Sequence, residues 1–321
     1  GRRNLWGKNR SVNFFSRVSF RRHATTGTGD PLAQPVTISL TNLDYRVIGS
    51  YREPRFLDTR ADLQVSAVFE QGSRTSFRYK RRSARIDLAE RLAGGWSLLG
   101  QYSFERNTIF EDQINPIDRP LIDRLFPQVR LSIVSATTVR DTRDDALDPG
   151  KGNLVSVSGD LALRAIGSEV GLAKVFGQVF VYRQLPTSRR IVFASGVRLG
   201  VGTGFRRSVP VLDGNGQPVL DQNGQPVYVS VRDLPANERF FAGGDTTVRG
   251  FQRDGLGRPD TFDRDGVPIG GHAEVILNSE LRMAVWPGLG VVGFLDLGNV
   301  FSSVTDLNPA HLRGAAGFGI R

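Results

Sequence analysis

Apolar and polar residues alternate with a period of two along most of this chain, and helical periodicity is nearly absent. In 61–70, Leu63, Val65, Ala67 and Phe69 oppose Asp62, Gln64, Ser66 and Glu70. In 153–163, Val155, Val157, Leu161 and Leu163 oppose Ser156, Ser158 and Asp160. In 172–183, Ala173, Val175, Val179 and Val181 oppose Lys174, Gln178, Phe176, Phe180 and Tyr182. In 190–199, Ile191, Phe193, Val197 and Leu199 oppose Arg190 and Arg198. Similar segments run at about 11–22, 37–50, 84–92, 96–106, 129–139, 273–285, 290–300 and 312–321. Together they predict about twelve antiparallel strands, many near the ~10 residues that a tilted membrane-spanning strand needs.

Connection lengths sharpen the reading. Short turns fall at Ala93-Gly94-Gly95, Leu185-Pro186-Thr187-Ser188 and Trp286-Pro287-Gly288-Leu289, and long loops at about 107–128 and 201–272. Counting strands forward puts the long loops on one side, as in outer-membrane barrels. The segment 140–152, with Asp141-Thr142-Arg143-Asp144 and Pro149-Gly150-Lys151-Gly152, is a longer connection on the short side and reads as an ordered turn. A soluble β-sandwich also alternates, but here many polar faces carry full charges and the apolar faces are aliphatic. The fold expected is therefore all-β, an antiparallel transmembrane β-barrel, in which strand-to-strand pairing satisfies every backbone group.

Composition removes other classes. No run of about 18 apolar residues exists, so no helix is expected to span a bilayer, and no apolar stretch follows Gly1-Arg2-Arg3 as in a secretory leader. Cysteine is absent, which excludes disulfides, thiolate nucleophiles and cysteine-type zinc sites. The net charge is +10, carried by 42 basic residues. The only lysines are Lys8, Lys80, Lys151 and Lys174. The arginines are scattered over alternating segments and form no basic tail or helix, so a polar interior and anionic lipid headgroups fit them better than nucleic acid.

Gly288-Leu289-Gly290-Val291-Val292-Gly293 matches a dinucleotide fingerprint but leads into a strand, leaving no helix N-terminus for a pyrophosphate. Gly150-Lys151-Gly152-Asn153 lacks the remainder of a phosphate-binding loop. Asn215-Gly216-Gln217-Pro218-Val219 recurs as Asn223-Gly224-Gln225-Pro226-Val227, and Asp263-Arg264-Asp265-Gly266-Val267-Pro268 resembles both. Asp213, Asn215 and Asp221 hint at calcium, but without the spacing of a calcium loop they read as tight surface turns. His23, His272 and His311 are far apart, and no triad or nucleophile elbow occurs. No enzyme, metal or cofactor is expected.

The informative segment runs Arg239-Phe240-Phe241-Ala242-Gly243-Gly244-Asp245-Thr246-Thr247-Val248-Arg249-Gly250-Phe251. A solvated loop gains nothing from exposing Phe240, Phe241 and Phe251, whereas a loop folded into the lumen buries them and brings Arg249 to the wall. The apolar face of 273–285 is Val275, Leu277, Leu281, Met283 and Val285, so Glu274, Asn278, Glu280 and Arg282 point inward. Leu295 and Leu297 take the lipid face, which turns Asp296 inward. Two inward carboxylates can satisfy one buried arginine through charge-assisted bonds, so Arg249 is expected near Asp296 and Glu280 with Phe251 packed beside them.

These residues resemble a family. Arg239–Gly244 followed by Val248-Arg249-Gly250-Phe251 is similar to the sixth-loop signature of the BamA/TamA bacterial surface antigen family. Gly293-Phe294-Leu295-Asp296-Leu297-Gly298-Asn299-Val300-Phe301 resembles its following strand, and Glu280-Leu281-Arg282 sits where the family keeps a glutamate one strand earlier. Asn4-Leu5-Trp6-Gly7-Lys8-Asn9 resembles the turn between the family's second and third strands. The resemblance implies a sixteen-stranded outer-membrane barrel behind POTRA domains, with the sixth-loop arginine held by carboxylates of neighbouring strands. It implies that Val248, Arg249, Gly250 and Phe251 form the functional loop motif, with Gly243 and Gly244 shaping the loop and Asp296 and Glu280 as partners. It also implies insertion or translocation of other outer-membrane proteins, templated at a seam between the first and last strands. Expected partners are the bilayer with its lipopolysaccharide, unfolded outer-membrane clients and assembly subunits acting through POTRA domains. The expected location is the outer membrane of a Gram-negative-type bacterium.

Residues 1–321 are expected to be one barrel domain, incomplete at both ends and without POTRA domains, with a lumen-directed loop at about 201–272. The weighed alternatives are a two-partner-type secretion transporter and a passive diffusion porin.

Overall fold

The computed structural model of the chain describes residues 2–5, 7, 9–20, 43–110, 128–186, 191–211, 213 and 217–321. Its strands are β1 (Arg2–Leu5), β2 (Arg10–Phe20), β3 (Leu43–Glu53), β4 (Ala61–Ser73), β5 (Arg78–Arg91), β6 (Trp96–Phe110), β7 (Gln128–Asp141), β8 (Gly152–Ala162), β9 (Leu172–Gln184), β10 (Ile191–Gly204), β11 (Arg207–Pro210), β12 (Tyr228–Val231), β13 (Ala273–Trp286), β14 (Leu289–Phe301) and β15 (Arg313–Ile320). Thirteen of them form one antiparallel sheet in the order β1 to β10, then β13, β14 and β15, while β11 and β12 pair separately. No α-helix occurs among the described residues. The sheet is a barrel wall that does not close on itself, with β1 and β15 as its two edges.

All twelve strands expected from alternation are present, with shifted ends. The segment expected at 37–50 begins at Leu43, residues 37–42 lying outside the described set, and the segment expected at 84–92 starts earlier, at Arg78. A further short strand, β1, precedes the Gly7 turn, in which Asn4 and Asn9 both adopt positive φ. The β4–β5 turn at residues 74–77 is short although it lies at the long-loop end, a departure from strict alternation of connection lengths.

The two-residue phase sorts the faces as the alternation predicts. Val157, Leu161, Val175, Val179, Phe193 and Val197 are exposed on the outer face. Asp160 sits opposite Lys174 across β8 and β9, and Lys174 donates to Glu238 of the long loop at 2.9 Å, which puts that row inside. A one-residue slip would instead place these charges in lipid.

The interior at the long-loop end is less polar than alternation suggests. Val129, Leu131 and Ile133 of β7 pack inward with Ala162, Val170, Leu172 and the loop residue Leu234. Two further apolar clusters join loop to wall, one around Phe77 and Phe241 and one around Val248, Ile276 and Val300. Burial against the wall is what draws the loop inward.

The internal repeat of the loop forms a small ring of backbone bonds. Val211 N–H donates to Val227 O at 2.8 Å, Val219 N–H to Val211 O at 2.7 Å, and Val227 N–H to Val219 O at 2.8 Å. Asp213, Asp221 and Asp263 each cap a turn by accepting downstream amides, from Gln217, from Asn223 and Gln225, and from Asp265 and Val267.

Candidate functional site

Two glycines shape the turn that presents Arg249. Gly243 has φ of 109° and Gly244 of 90°, conformations that L side chains rarely adopt. They let Gly243 N–H reach Thr247 Oγ1 at 2.8 Å and Gly244 N–H reach Phe251 O at 3.0 Å. The turn is pinned by Val248, fully buried among Ala242, Leu256, Ile276 and Val300. Gly250, with φ of 83°, follows the arginine and lies against Ala315 of β15.

The wall supplies the acceptors. Asn278 of β13 is directly opposite Asp296 of β14, and Glu280 is opposite Phe294, so all four side chains share the inner face. Arg249 makes a fork to Asp296, with Nε to Oδ2 at 2.6 Å and Nη2 to Oδ1 at 2.8 Å. Its own backbone N–H adds a third bond to Oδ2 at 3.1 Å. The remaining terminal nitrogen, Nη1, donates to Glu280 Oε1 at 2.7 Å, and Arg282 Nε donates to the other oxygen of Glu280 at 2.8 Å. Phe294 lies under the guanidinium, 3.7 Å from Cζ to the ring centroid, a close cation–π contact. Asp296 is fully buried, and Asn278 Nδ2 also donates to it at 2.8 Å.

The charges balance locally. The side-chain bonds to Asp296 first, and those to Glu280 next, raise the Arg249 pKa against the opposing pull of burial. The guanidinium is therefore permanently charged, and the grip holds as long as its two carboxylate partners are ionised. The planar fork satisfies both Asp296 oxygens at once, which a lysine ammonium cannot reproduce.

Wall residues hold the backbone on either side of the arginine. Arg198 Nη1 donates to Thr246 O at 2.8 Å, and Asn278 Nδ2 to Thr247 O at 2.7 Å. Further along, Lys174 pairs with Glu238, whose pKa burial tends to raise but Lys174 and then Arg81 bring down. The far tip, Arg253 and Asp254, reaches the β4–β5 turn: Thr75 N–H donates to Asp254 Oδ2 at 3.2 Å and Thr75 Oγ1 to Arg253 O at 2.9 Å. Arg74 donates to Asp254 and stacks over Phe241, which meets Phe77 edge to face. The sheet thus curves around the loop, and the loop bridges its two sides. A cavity of about 180 Å³ lies beside the lock, lined by Phe180, Tyr182, Arg198, Asn278, Glu280 and Arg282.

The structure brings Arg249, Asp296 and Glu280 into direct contact and places Val248, Gly243, Gly244 and Gly250 in the turn that presents the arginine. Phe251 lies elsewhere than expected: it packs on the Val248 cluster under Arg313, 4.9 Å from ring centroid to Cζ, and Phe294 takes the place beside the guanidinium. Phe294 was legible, because it shares the phase of Asp296 along the strand. The Asp254 clasp carried no local signal, since its partners Arg74 and Thr75 lie far away in sequence.

A family model described as the Omp85 superfamily domain matches residues 25–321. Among solved structures, BamA from Haemophilus ducreyi lacking POTRA domains 1–3 aligns with a TM-score of 0.67 at 16% identity, over 98% of this chain and 64% of that one. CdiB from Acinetobacter baumannii aligns with a TM-score of 0.37 at 14% identity, over 97% of this chain and 59% of that one. The chain thus spans 64% or less of the length of these structures. No curated protein matches it by sequence.

Proposed function

Since the chain belongs to the Omp85 superfamily, we propose that it forms the outer-membrane barrel of a protein that inserts or translocates other outer-membrane proteins, with Arg249 locking the long loop in the lumen. The observation that carries this reading is the fork of Arg249 on Asp296, completed by Glu280. A passive pore needs only charges at its constriction. Here a cation, two carboxylates, a ring and a backbone amide are spent on fixing one loop against two adjacent strands.

No covalent chemistry is required. The work is exchange of strand pairing, in which an exposed edge adds an incoming strand through main-chain hydrogen bonds. A loop fixed from inside holds the wall's curvature while an edge is open. The clients are unfolded outer-membrane proteins, and accessory subunits act through POTRA domains, the modules named for the BamA structure. The site of action is the outer membrane of a Gram-negative-type bacterium, where the apolar outer belt of the wall meets lipid.

The test uses the full-length protein reconstituted in vesicles and follows insertion of an unfolded barrel client. Arg249→Ala and Asp296→Ala should each slow insertion at least about tenfold, the effect of losing roughly 1.4 kcal/mol or more at the rate-limiting step. Unchanged insertion would remove the lock from the mechanism. Export of a soluble polypeptide without insertion would favour the secretion reading, and ion flux without either would favour a porin.

A further inference from the structure

Three arginines stand side by side on the outside of the wall. Arg82 of β5 is directly opposite Arg106 of β6, and Arg106 is directly opposite Arg130 of β7. All three are exposed, and the residues that alternate with them, Ser83, Glu105, Val129 and Leu131, are buried on the inner side. Neighbouring strands lie about 4.8 Å apart, so the row spans roughly 10 Å. Like charges placed directly opposite destabilise a sheet. The described residues compensate them only in part. Glu169 approaches Arg130 at 3.8 Å with both side chains about half exposed, and the Gln128 carbonyl reaches Arg106 Nε at 2.9 Å once its amide is oriented to suit. Arg82 has no ion pair among the described residues.

The level of the row on the wall supplies a counter-ion. All three arginines lie near the long-loop ends of their strands, the ends that face outward in such barrels. Two residues nearer the short turns the outer face carries Ala67, Ala84 and Phe104, and two further on Val65, Ile86, Tyr102 and Val134. The row therefore sits about 7 Å beyond the first wholly non-ionic row, at headgroup level. Lys80, also exposed, stands one row further out.

We propose that Arg82, Arg106 and Arg130 bind the phosphorylated sugar headgroup of a lipopolysaccharide-type lipid in the outer leaflet, with its acyl chains lying on Phe69, Phe104 and Ile86. Arginine forks match phosphate oxygens in pairs, and a row of three suits a headgroup with more than one phosphate better than a single-phosphate lipid. Phe69, directly opposite Arg82 and half exposed, is the apolar flank of the row. The inference rests on the outer-membrane reading above but is independent of what the barrel inserts or translocates.

The experiment reconstitutes the full-length protein in phosphatidylcholine nanodiscs doped with lipid A, with phosphatidylglycerol, or with neither, and measures retained lipid by native mass spectrometry. The wild type should retain lipid A in preference to phosphatidylglycerol. Each arginine near a charged surface is worth about fivefold in affinity, so the triple variant R82Q/R106Q/R130Q should lose on the order of a hundredfold. A triple lysine variant, which keeps the charge, should lose much less. Millimolar inorganic phosphate should not displace the lipid, because it has no chains to lie on the apolar rows. Equal retention by the glutamine variant, no preference for lipid A, or displacement by phosphate overturns the site while leaving the barrel standing. Failure of the wild type to enter any bilayer overturns the outer-membrane reading, and the site with it.

Discussion

Thr75 donates its amide to Asp254 Oδ2, 179 residues further along the chain, at 3.2 Å, and its hydroxyl to the neighbouring Arg253 carbonyl at 2.9 Å. Asp254 is almost fully buried and has a positive φ of 59°, a conformation that aspartate tolerates better than most residues. A few residues earlier Arg249 grips β13 and β14. The segment between them is a crossbar from one side of the curved sheet to the other. Asp254→Ala should release the tip from the β4–β5 turn at a cost of about 1–3 kcal/mol, with the Arg249 contacts intact. Hydrogen exchange should speed up at residues 250–256 and at 73–77, and not at Asp296. Unchanged exchange at the turn would mean that the apolar Phe77–Phe241 contact alone holds the tip.

The lock should behave as one unit. Arg249→Ala leaves Asp296 buried without its cation, a loss of about 3–5 kcal/mol in loop docking. Asp296→Ala removes the fork but leaves Glu280. A double-mutant cycle on loop docking should therefore show coupling of about 0.5–3 kcal/mol. Arg249→Lys should recover part of the loss, because an ammonium keeps the charge and gives up the planar pair of bonds. Strictly additive single losses would show that the two side chains act separately.

The loop glycines should rank by what a side chain would meet. At Gly243 a Cβ would run into the Gln252 carbonyl oxygen and sit 3.0 Å from Gly255 N, with φ of 109°. At Gly250 it would meet only Ala315 Cβ at 3.0 Å, and at Gly244 only Arg253, whose Cα at 3.3 Å is the nearest atom. Gly243→Ala should thus cost most, at least about 2 kcal/mol more than Gly244→Ala, since backbone must move. Trypsin cleavage of the loop in folded protein gives the order, and equal sensitivity of the variants would contradict it.

His272, just before β13, should make loop docking acid-sensitive. Its Nε2 accepts the Leu234 amide at 3.3 Å, and burial, aided by the Arg239 cation, pushes its pKa down to about 4. The folded pKa is below the unfolded value of about 6.5, so the folded protein keeps the ring neutral. The contribution is complete above about pH 6.5 and is lost as pH falls from there through 4, reaching at most about 3 kcal/mol. Protection factors at residues 232–240 should drop over that window in the wild type. His272→Gln should flatten the profile, and a drop that persists in this variant would assign it to other groups.

What the chain determined by itself is local and periodic. The strands, the face each residue takes and the inward turn of Asp296 and Glu280 follow from a two-residue period, because a slip by one would send charges into lipid. The same period carried Phe294 and Asn278 to the lock. Gly243, Gly244 and Val248 were singled out by the resemblance of their segment to a known loop signature, not by any periodicity. What only the tertiary structure decided is the meeting of segments that share no period. Thr75 and Asp254 are joined because the sheet curves and the loop is long enough to cross it, and nothing near either residue in sequence encodes that distance. Phe251 differs from expectation for a related reason: its ring packs on the Val248 cluster with Arg313 over it, contacts between segments that share no period. The outer arginine row has the same origin. Each arginine alone looks like a rim charge, and only strand register sets Arg82, Arg106 and Arg130 abreast.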